Sequence, residues 1–448
     1  MKMKLEALQK NPYMVFLLSF ATIILAGTIL LSLPFASQDG KSVGFINALF
    51  TSTSAVCVTG LIVVNTATYW TLFGKIVIIT LIQVGGLGVM SMTAIISFFL
   101  GKRISLKTRI LIMEERGADE IQGVVRLTKH ILLYTFGVEL VGAIIFSFVF
   151  IKDYGLVTGI GFSLFHSISS FCNAGFDLIG NSAVNYVDNP IINFAVCGLI
   201  IIGGLGYYVF WDIYESKSFK RLTLHSKLAL IISAVLIVGG AVIIYAVEHD
   251  NPGTMANLTM SGKIQASILQ SVSPRTAGWN SVPIENLRMA TVALMVTLMF
   301  IGGTSASTAG GIKTTTFGVM LVTIYNLIKG KRDIEVYGKS IMPTTAVRAF
   351  AISWICIILV VVVSFILSIT ESGTDYDYLD ILFETVSAFA TVGLTRGITP
   401  ELSDAGKVIL SVVMYIGRVG PLTVALAIMK NQSYIGNYTY PEGKIIIG

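Results

Sequence analysis

Four loops spread along this sequence share residue types that suit the binding of a dehydrated cation. They read TSAVCVTGL, ISSFCNAGF, VSPRTAGWN and VSAFATVGL, and their glycines are Gly60, Gly175, Gly278 and Gly393, spaced 115, 103 and 115 residues apart. A cation that loses its water inside a membrane needs oxygen ligands at fixed spacing, and backbone carbonyls supply them without a full negative charge. Glycine permits backbone angles denied to other residues and, having no side chain, leaves a lumen open. The loops therefore predict a cation filter built from backbone groups. Its predicted residues are the four glycines and the residue before each of them, Thr59, Ala174, Ala277 and Val392.

The fourth loop contains the triplet Thr391-Val392-Gly393, which begins the TVGYG loop of potassium channels. A single triplet is weak evidence, because here it continues as Leu394-Thr395-Arg396. An alternative is that the glycines only allow tight turns or close helix packing. Their common register, each behind a stretch too short to cross a membrane, favours the filter.

Charged side chains near the loops are few. No ring of acidic residues is present in the four loops, which argues against a carboxylate filter. Asp177, two residues after Gly175, would attract cations at an outer mouth, whereas Arg275 would oppose them. An ion pair between Asp177 and Arg275 is one hypothesis for how this charge is neutralised.

The composition places these loops in a membrane protein. Of the 448 residues 54% are hydrophobic and 12% are charged, compared with roughly 25% charged in ordinary soluble domains. This excludes a soluble globular protein and predicts one polytopic membrane domain. Lys and Arg cluster at residues 2–10, 102–129, 217–227, 329–348 and 430–444. Because basic clusters stay on the cytoplasmic side, we predict that both termini are cytoplasmic and that the number of spans is even.

Apolar segments of two lengths alternate along the chain. Eight are long enough to span, at residues 12–33, 73–100, 128–151, 190–215, 227–248, 289–328, 347–370 and 407–430. Four are shorter, at residues 44–56, 159–171, 262–273 and 378–390. About 13 helical residues cover ~20 Å, too little for a hydrocarbon core of ~30 Å. The short segments are therefore predicted to be re-entrant helices that enter and leave on the outer side. Irregular backbone survives at membrane depth only where protein or water shields it, so the loop after each is predicted to line a path.

A second set of glycines supports the same register. Its first members are Gly85, Gly203, Gly302 and Gly417, which follow the loop glycines by 25, 28, 24 and 24 residues. The next position holds Gly86, Gly204 and Gly303 in three copies and Arg418 in the fourth. A central Arg costs roughly 2.5–3.5 kcal/mol on insertion scales, so it usually faces a pathway or a partner. We predict that Arg418 is a barrier to leakage beneath the filter. The alternative is a structural ion pair with Glu139 or Glu384.

The segment at residues 289–328 would be ~60 Å long as a single helix, twice the membrane thickness, so it must be broken. A run of small residues supplies the break and is predicted to be a movable gate. The gate residues are Gly302, Gly303, Thr304, Ser305, Ser307, Thr308, Gly310 and Gly311, followed by Lys313. A phosphate loop is the competing interpretation, but Ile312 separates glycine from lysine and no strand precedes it.

The sequence contains no catalytic or zinc-binding motif, so an enzyme is not expected. The four cysteines are expected to be buried apolar residues.

Together these features predict an all-α polytopic membrane protein with eight spans. Four repeats of helix, re-entrant pore helix with filter loop, and helix would surround one central pore. The predicted repeats are residues 1–101, 102–216, 217–330 and 331–430, with a gating loop at 302–316 in the third and a cytoplasmic tail at 431–448.

Several motifs within this plan resemble the Trk/Ktr/HKT superfamily of K⁺ transporters over essentially the whole chain. They are NAGFDL at 173–178, RTAGWN at 275–280, GGTSASTAGGIKT at 302–314 and GRVGPLT at 417–423. They look like bacterial Ktr sequences, and the short N-terminal region points to the KtrB type of membrane subunit. One departure is Pro274, where a hydroxyl residue is expected.

The resemblance implies K⁺ uptake across a bacterial plasma membrane, with Na⁺ as an activator. It implies a homodimer seated on a cytosolic ring of KtrA-type subunits, so that a nucleotide would act only through that partner. No cofactor in this chain and no nucleic acid partner are expected. In the superfamily, Ser at the first filter glycine is associated with Na⁺ transport, so Gly60 favours K⁺. The resemblance also implies that residues 302–316 form a gating loop and that Arg418 lies in the pathway.

Two alternatives stay open. Broken helices and internal repeats also occur in ion-coupled secondary transporters, so K⁺/Na⁺ or K⁺/H⁺ symport is the main rival. A Na⁺-permeable relative is the other. Four parallel repeats with outer re-entrant loops favour a pore.

Overall fold

Long apolar helices alternate with short ones along the chain. The computed structural model describes residues 12–88, 124–305 and 307–428. Besides a single α-helical turn at Thr66–Tyr69, the α-helices are α1 (Pro12–Leu31), α2 (Phe45–Cys57), α3 (Leu72–Leu87), α4 (Val124–Tyr154), α5 (Leu156–Phe171), α6 (Pro190–Ser216), α7 (Leu224–Glu248), α8 (Met260–Val272), α9 (Met289–Phe300), α10 (Thr314–Ile328), α11 (Pro343–Thr370), α12 (Tyr378–Phe389), α13 (Asp404–Val419) and α14 (Pro421–Ile428). An antiparallel hairpin, β1 (Ile334–Val336) and β2 (Lys339–Ile341), joins α10 to α11.

Five helices in the described ranges are long and apolar enough to cross a membrane, judged by length and composition. They are Tyr13–Leu31, Thr128–Tyr154, Pro190–Ser216, Leu224–Glu248 and Pro343–Thr370. Polar residues mark where such helices begin. Asn189 precedes Pro190, for example, and its side chain accepts a hydrogen bond of 3.0 Å from the Ile191 amide. The described part of the chain is a helical membrane protein, as the composition predicts.

The four short helices lie close to their predicted positions. Helices α2, α5, α8 and α12 contain 13, 16, 13 and 12 residues, and each boundary falls within three residues of the prediction. The C-terminal halves of these helices are buried. At 1.5 Å per residue they are ~18–24 Å long, shorter than the hydrocarbon core.

Three of the short helices are fixed to the preceding long helix in the same way. The hydroxyl of Ser52 donates to the carbonyl of Ile24 (2.7 Å), that of Ser167 to Glu139 (2.6 Å) and that of Ser271 to Ile237 (2.7 Å). A glycine lies three residues after each of these accepting residues; the three glycines are Gly27, Gly142 and Gly240. An added Cβ there would overlap the serine hydroxyl. Small residues at these crossings let the helices approach closely, as in membrane proteins generally.

The helices that follow the loops are interrupted more often than predicted. Residues 289–328 are divided between α9 and α10, as expected from their length. Within the predicted spans 190–215 and 407–430, Gly206 (φ 73°) and Gly420 (φ 94°) interrupt the helical geometry. In the predicted span 73–100, α3 ends at Leu87 and Gly88 has φ 88°. Positive φ lies outside the helical region, and glycine adopts it without steric cost.

Some predictions lie outside the described residues. These are the basic clusters at 2–10 and 430–444, most of the cluster at 102–129, the end of the span 73–100 and the tail at 431–448.

Candidate functional site

The four glycine loops share one backbone conformation. In each loop φ is positive at the glycine and at the residue two places before it. These pairs are Val58 and Gly60 (58° and 95°), Asn173 and Gly175 (60° and 69°), Thr276 and Gly278 (69° and 71°), and Thr391 and Gly393 (52° and 93°). Positive φ is rare for β-branched residues such as valine and threonine. The surrounding structure therefore imposes this conformation on the loops.

The structure brings the four loops together in a closed ring. A Cβ built on Gly60 would lie 2.5 Å from the carbonyl oxygen of Ala174, and one on Gly175 would lie 2.9 Å from that of Ala277. A Cβ on Gly278 would lie 2.7 Å from the oxygen of Val392. The ring closes because a Cβ on Gly393 would overlap the oxygen of Thr59. All eight predicted filter residues thus meet, and no glycine has room for a side chain.

The geometry of the peptide units directs carbonyl groups into this ring. The amide of Thr59 donates to the carbonyl of Ser54 at the end of α2 (2.8 Å), and the amide of Val392 donates to that of Ser387 in α12 (2.8 Å). In a trans peptide the N–H and the preceding C=O point in opposite directions. Because these amides face their own short helix, the carbonyls of Val58 and Thr391 face away from that helix.

The two other loops bend back in a similar way. The amide of Ala174 donates to the backbone carbonyl of Ser169, five residues before it (2.7 Å). The amide of Ala277 donates to the backbone carbonyl of Ser273, only four residues before it (2.9 Å). This shorter turn lies at Pro274, where the sequence departs from the family pattern. All four short helices end three to six residues before their glycine, so the negative ends of their dipoles lie near the ring.

The predicted gate segment folds back on itself between α9 and α10. The amide of Gly302 donates to Ile312 (2.9 Å), and the amide of Ile312 donates to Phe300 (3.2 Å). The segment lies against the fourth loop, because a Cβ on Gly310 would be 2.7 Å from the carbonyl oxygen of Ala390. It also contacts α6, where the carbonyl of Gly204 accepts from the Thr304 amide at 3.0 Å.

Arg418 connects three parts of the structure. It lies in the last turn of α13, and its guanidinium donates to the carbonyls of Thr308 in the gate segment and Gly85 in α3. Nearby, the Lys313 ammonium donates to the carbonyl of Ala309 (2.6 Å). Two basic side chains therefore bind backbone oxygens of the gate segment.

The remaining predicted gate residues are joined within the segment. The hydroxyl of Ser307 donates to the carbonyl of Thr304 (2.7 Å), and the hydroxyls of Ser305 and Thr315 are 3.2 Å apart. The amide of Thr314 donates to Gly303 (2.9 Å). These contacts give the segment a defined shape without a regular helix.

Three sequence hypotheses about ion pairs can be compared with the structure. Arg275 donates to the Ser233 hydroxyl (3.0 Å), whereas Asp177 accepts from the amides of Gly180 and Ser182, so the predicted Asp177–Arg275 pair is wrong. The acids offered as partners of Arg418 have other partners. Glu139 accepts from the Gln83 amide (3.0 Å), and Glu384 accepts from the Thr399 hydroxyl.

Sequence reasoning missed one feature of the site. In three of the four loops a serine stands six residues before the glycine, at Ser54, Ser169 and Ser387. The repeat of this residue type was a signal, but an isolated serine in a buried helix gives no direction for its hydroxyl.

Comparisons with known proteins place this geometry in context. A family model described as TrkH, a cation transport protein, matches residues 4–435. The chain is 42% identical over 444 residues to the potassium/sodium uptake protein NtpJ of Enterococcus hirae, covering 98% of this chain and 97% of that protein. It is 41% identical over 438 residues to the Ktr system potassium uptake protein B of Bacillus subtilis, again covering 98% and 97%.

Its fold is similar to a solved structure, the crystal structure of the potassium transporter TrkH from Vibrio parahaemolyticus. The TM-score is 0.69, with 92% of this chain and 84% of that chain covered and 18% of residues identical. At this identity the likeness concerns the fold.

Proposed function

Because the chain belongs to the TrkH family of cation transport proteins, we propose that it carries K⁺ across the bacterial plasma membrane as the ion-translocating subunit of a Ktr-type uptake system. Membership of a transport family means that the protein is not an enzyme. It also confirms the resemblance drawn from the sequence motifs. The choice of K⁺ is supported by relatives that are named potassium uptake proteins.

The observation that carries the proposal is the ring of four glycine loops. A K⁺ ion entering it would exchange water for backbone carbonyls, those of Thr59, Ala174, Ala277 and Val392 among them. Oxygens without formal charge bind the ion weakly enough to release it, as conduction requires. Since each loop contributes few carbonyls, the filter would hold fewer strong K⁺ sites than a TVGYG filter.

The proposal includes four repeats and eight spans around one pore. It is supported by the shared loop conformation, by the serine-to-carbonyl contacts of three short helices, and by the positive φ of Gly88, Gly206 and Gly420. Each of these glycines stands three residues after the first glycine of the second set. In the third repeat the gate segment takes the place of that single interruption.

Residues 302–316 would act as the gate of this pore, with Arg418 as the barrier beside it. The segment touches the fourth loop at Ala390 and binds Arg418 through the carbonyl of Thr308. A cation in the path would meet the positive charge of Arg418 unless the segment moved. Opening would therefore require separation of the Arg418 contacts.

The partners follow from the same family argument. We expect a homodimer with cytoplasmic termini, gated by a cytosolic KtrA-type ring that binds the regulatory nucleotide, with Na⁺ as an activator. Support comes from relatives whose names assign them to a Ktr system.

Uptake of ⁸⁶Rb⁺ into proteoliposomes tests the function. The purified protein should accumulate ⁸⁶Rb⁺ down an imposed gradient, and external K⁺ should suppress this uptake more strongly than equal Na⁺. Equal suppression by K⁺ and Na⁺ would reject K⁺ selectivity, and the absence of any Rb⁺ uptake would reject the proposal.

A second candidate is a Na⁺-permeable or Na⁺-coupled transporter, favoured by the name potassium/sodium uptake protein of the Enterococcus hirae relative. It predicts that ²²Na⁺ enters together with ⁸⁶Rb⁺ in a fixed ratio. A selective K⁺ pore predicts that ⁸⁶Rb⁺ enters without ²²Na⁺.

A further inference from the structure

Two serine hydroxyls hold the amides of filter-loop glycines. The amide of Gly60 donates to the hydroxyl oxygen of Ser54 (3.0 Å), and the amide of Gly393 donates to that of Ser387 (3.1 Å). Both serines are fully buried. The two loops are neighbours in the ring, since a Cβ on Gly393 would lie 2.9 Å from Cα of Gly60.

These two bonds determine where the preceding carbonyls point. The N–H of Gly60 and the C=O of Thr59 belong to one planar trans peptide unit and point in opposite directions. Because the N–H faces Ser54 behind the loop, the oxygen of Thr59 is held at the interior. The same argument places the oxygen of Val392, whose partner N–H on Gly393 faces Ser387. Both oxygens contact the next glycine of the ring: that of Thr59 lies against Gly393, and that of Val392 lies 2.7 Å from a Cβ on Gly278.

The two other loops lack this contact. The hydroxyl of Ser169 donates to the carbonyl of Phe176 (2.6 Å), beyond the glycine of the second loop. In the third loop the corresponding residue is Val272, which has no hydroxyl. The hydrogen bond from the glycine amide to a serine hydroxyl therefore occurs in the first and fourth loops, so the four sides of the ring are not chemically equivalent.

We propose that Ser54 and Ser387 are positioning residues that set the ion preference of the filter through the carbonyls of Thr59 and Val392. The inference rests on the proposed function and deepens it. Selectivity between K⁺ and Na⁺ depends on the number and placement of carbonyl ligands. Without the hydroxyl, a buried N–H loses its partner and its peptide unit is free to turn, so the carbonyl leaves its place.

The test compares the preference for Rb⁺ over Na⁺ among variants in proteoliposomes, measured by Na⁺ competition against ⁸⁶Rb⁺ uptake. The double variant Ser54→Ala with Ser387→Ala should lower this preference by about tenfold, as expected for the loss of two buried hydrogen bonds. Each single variant should give part of the fall. The Ser54→Thr and Ser387→Thr variants keep the oxygen and should retain the parent preference.

Ser52→Ala is the matched control. Ser52 lies in the same helix as Ser54 and is equally buried, but its hydroxyl donates to the carbonyl of Ile24 and does not bind a filter-loop amide. Its removal should leave the preference unchanged.

An unchanged preference in the double alanine variant would overturn the inference, and so would an equal fall in Ser52→Ala. If the alanine variants do not yield folded protein, Ser54→Cys and Ser387→Cys replace them, since sulfur is a weak acceptor and the same fall is expected. A parent protein that takes up no ⁸⁶Rb⁺ would instead reject the proposed function, so the two failures are distinguishable.

Discussion

Arg418 illustrates how a single side chain can be suited to a gate. Helix α3 ends at Leu87, so the carbonyl of Gly85 lies in its last turn, where carbonyls commonly accept from outside the helix. The guanidinium has five donors in a rigid plane, which lets it bind this carbonyl and that of Thr308 together. Its charge then lies beside the gate segment.

Arg418→Ala should raise ⁸⁶Rb⁺ flux several-fold, because it removes both the positive barrier and a contact that holds the gate segment. Arg418→Lys keeps the charge but cannot bind both carbonyls at once, so its flux should lie between that of the parent protein and that of Arg418→Ala. Arg348→Ala, at an exposed position, is the control for loss of an arginine. Equal flux in Arg418→Ala and the parent would mean that Arg418 is only structural.

At the scale of elements, the gate segment depends on close contact with the fourth loop. Gly310 allows this contact, since a Cβ there would be 2.7 Å from the carbonyl oxygen of Ala390 and would overlap the Thr391 hydroxyl. The neighbour is backbone, which cannot move aside as a flexible side chain can. The gate segment and the loop are thus fitted to each other.

Gly310→Ala should push the gate segment away from the fourth loop and raise basal ⁸⁶Rb⁺ uptake. Gly373→Ala, where an added Cβ meets nothing within 4 Å, should not change uptake. Unchanged uptake in Gly310→Ala would show that this contact does not control the path.

The interruption of α6 can be tested by stability. Gly206 has φ 73° and ψ 153°, a region used almost only by glycine, so Gly206→Ala should destabilise the protein by about 1–3 kcal/mol. Gly198 lies in the same helix with open space around it, and Gly198→Ala should be neutral or stabilise by up to ~1 kcal/mol. Thermal unfolding in detergent measures both, and equal midpoints would contradict the interruption at Gly206.

The elements also show what could be predicted from sequence. Short helices such as α2 and α12 were placed within one residue, because an apolar run with polar or glycine neighbours determines where a helix fits. The interruptions at Gly206 and Gly420 were not foreseen, since apolar residues continue on both sides and glycine is common in membrane helices. The Asp177–Arg275 pair failed because spacing along the chain does not give the direction of a side chain.

At the scale of the whole molecule, one chain supplies all four sides of the ring. The loops follow one another around it in chain order, from Gly60 to Gly175, Gly278 and Gly393 and back to Gly60. Because the four loops differ in sequence, each can be changed alone, unlike the loops of a homotetramer. We propose that this ring is a pore through which ions move down their gradient.

A pore therefore predicts that ⁸⁶Rb⁺ uptake continues in proteoliposomes without Na⁺ and with the proton gradient collapsed by an ionophore. If uptake is lost when Na⁺ is absent and the proton gradient is collapsed, and returns when the Na⁺ gradient or the proton gradient is restored, coupled symport is favoured instead.

The most direct test of the central claim, that the four glycine loops form the ion filter, is the preference for Rb⁺ over Na⁺ in Gly393→Ser compared with Gly397→Ser. Both glycines have positive φ, 93° and 96°, so both variants carry similar backbone strain. A Cβ at Gly393 would overlap the carbonyl oxygen of Thr59 in the ring, whereas at Gly397 it meets nothing within 4 Å. We predict that Gly393→Ser lowers the preference by about tenfold, equivalent to ~1.4 kcal/mol, and that Gly397→Ser retains it. Retention of the parent preference in Gly393→Ser would contradict the filter assignment.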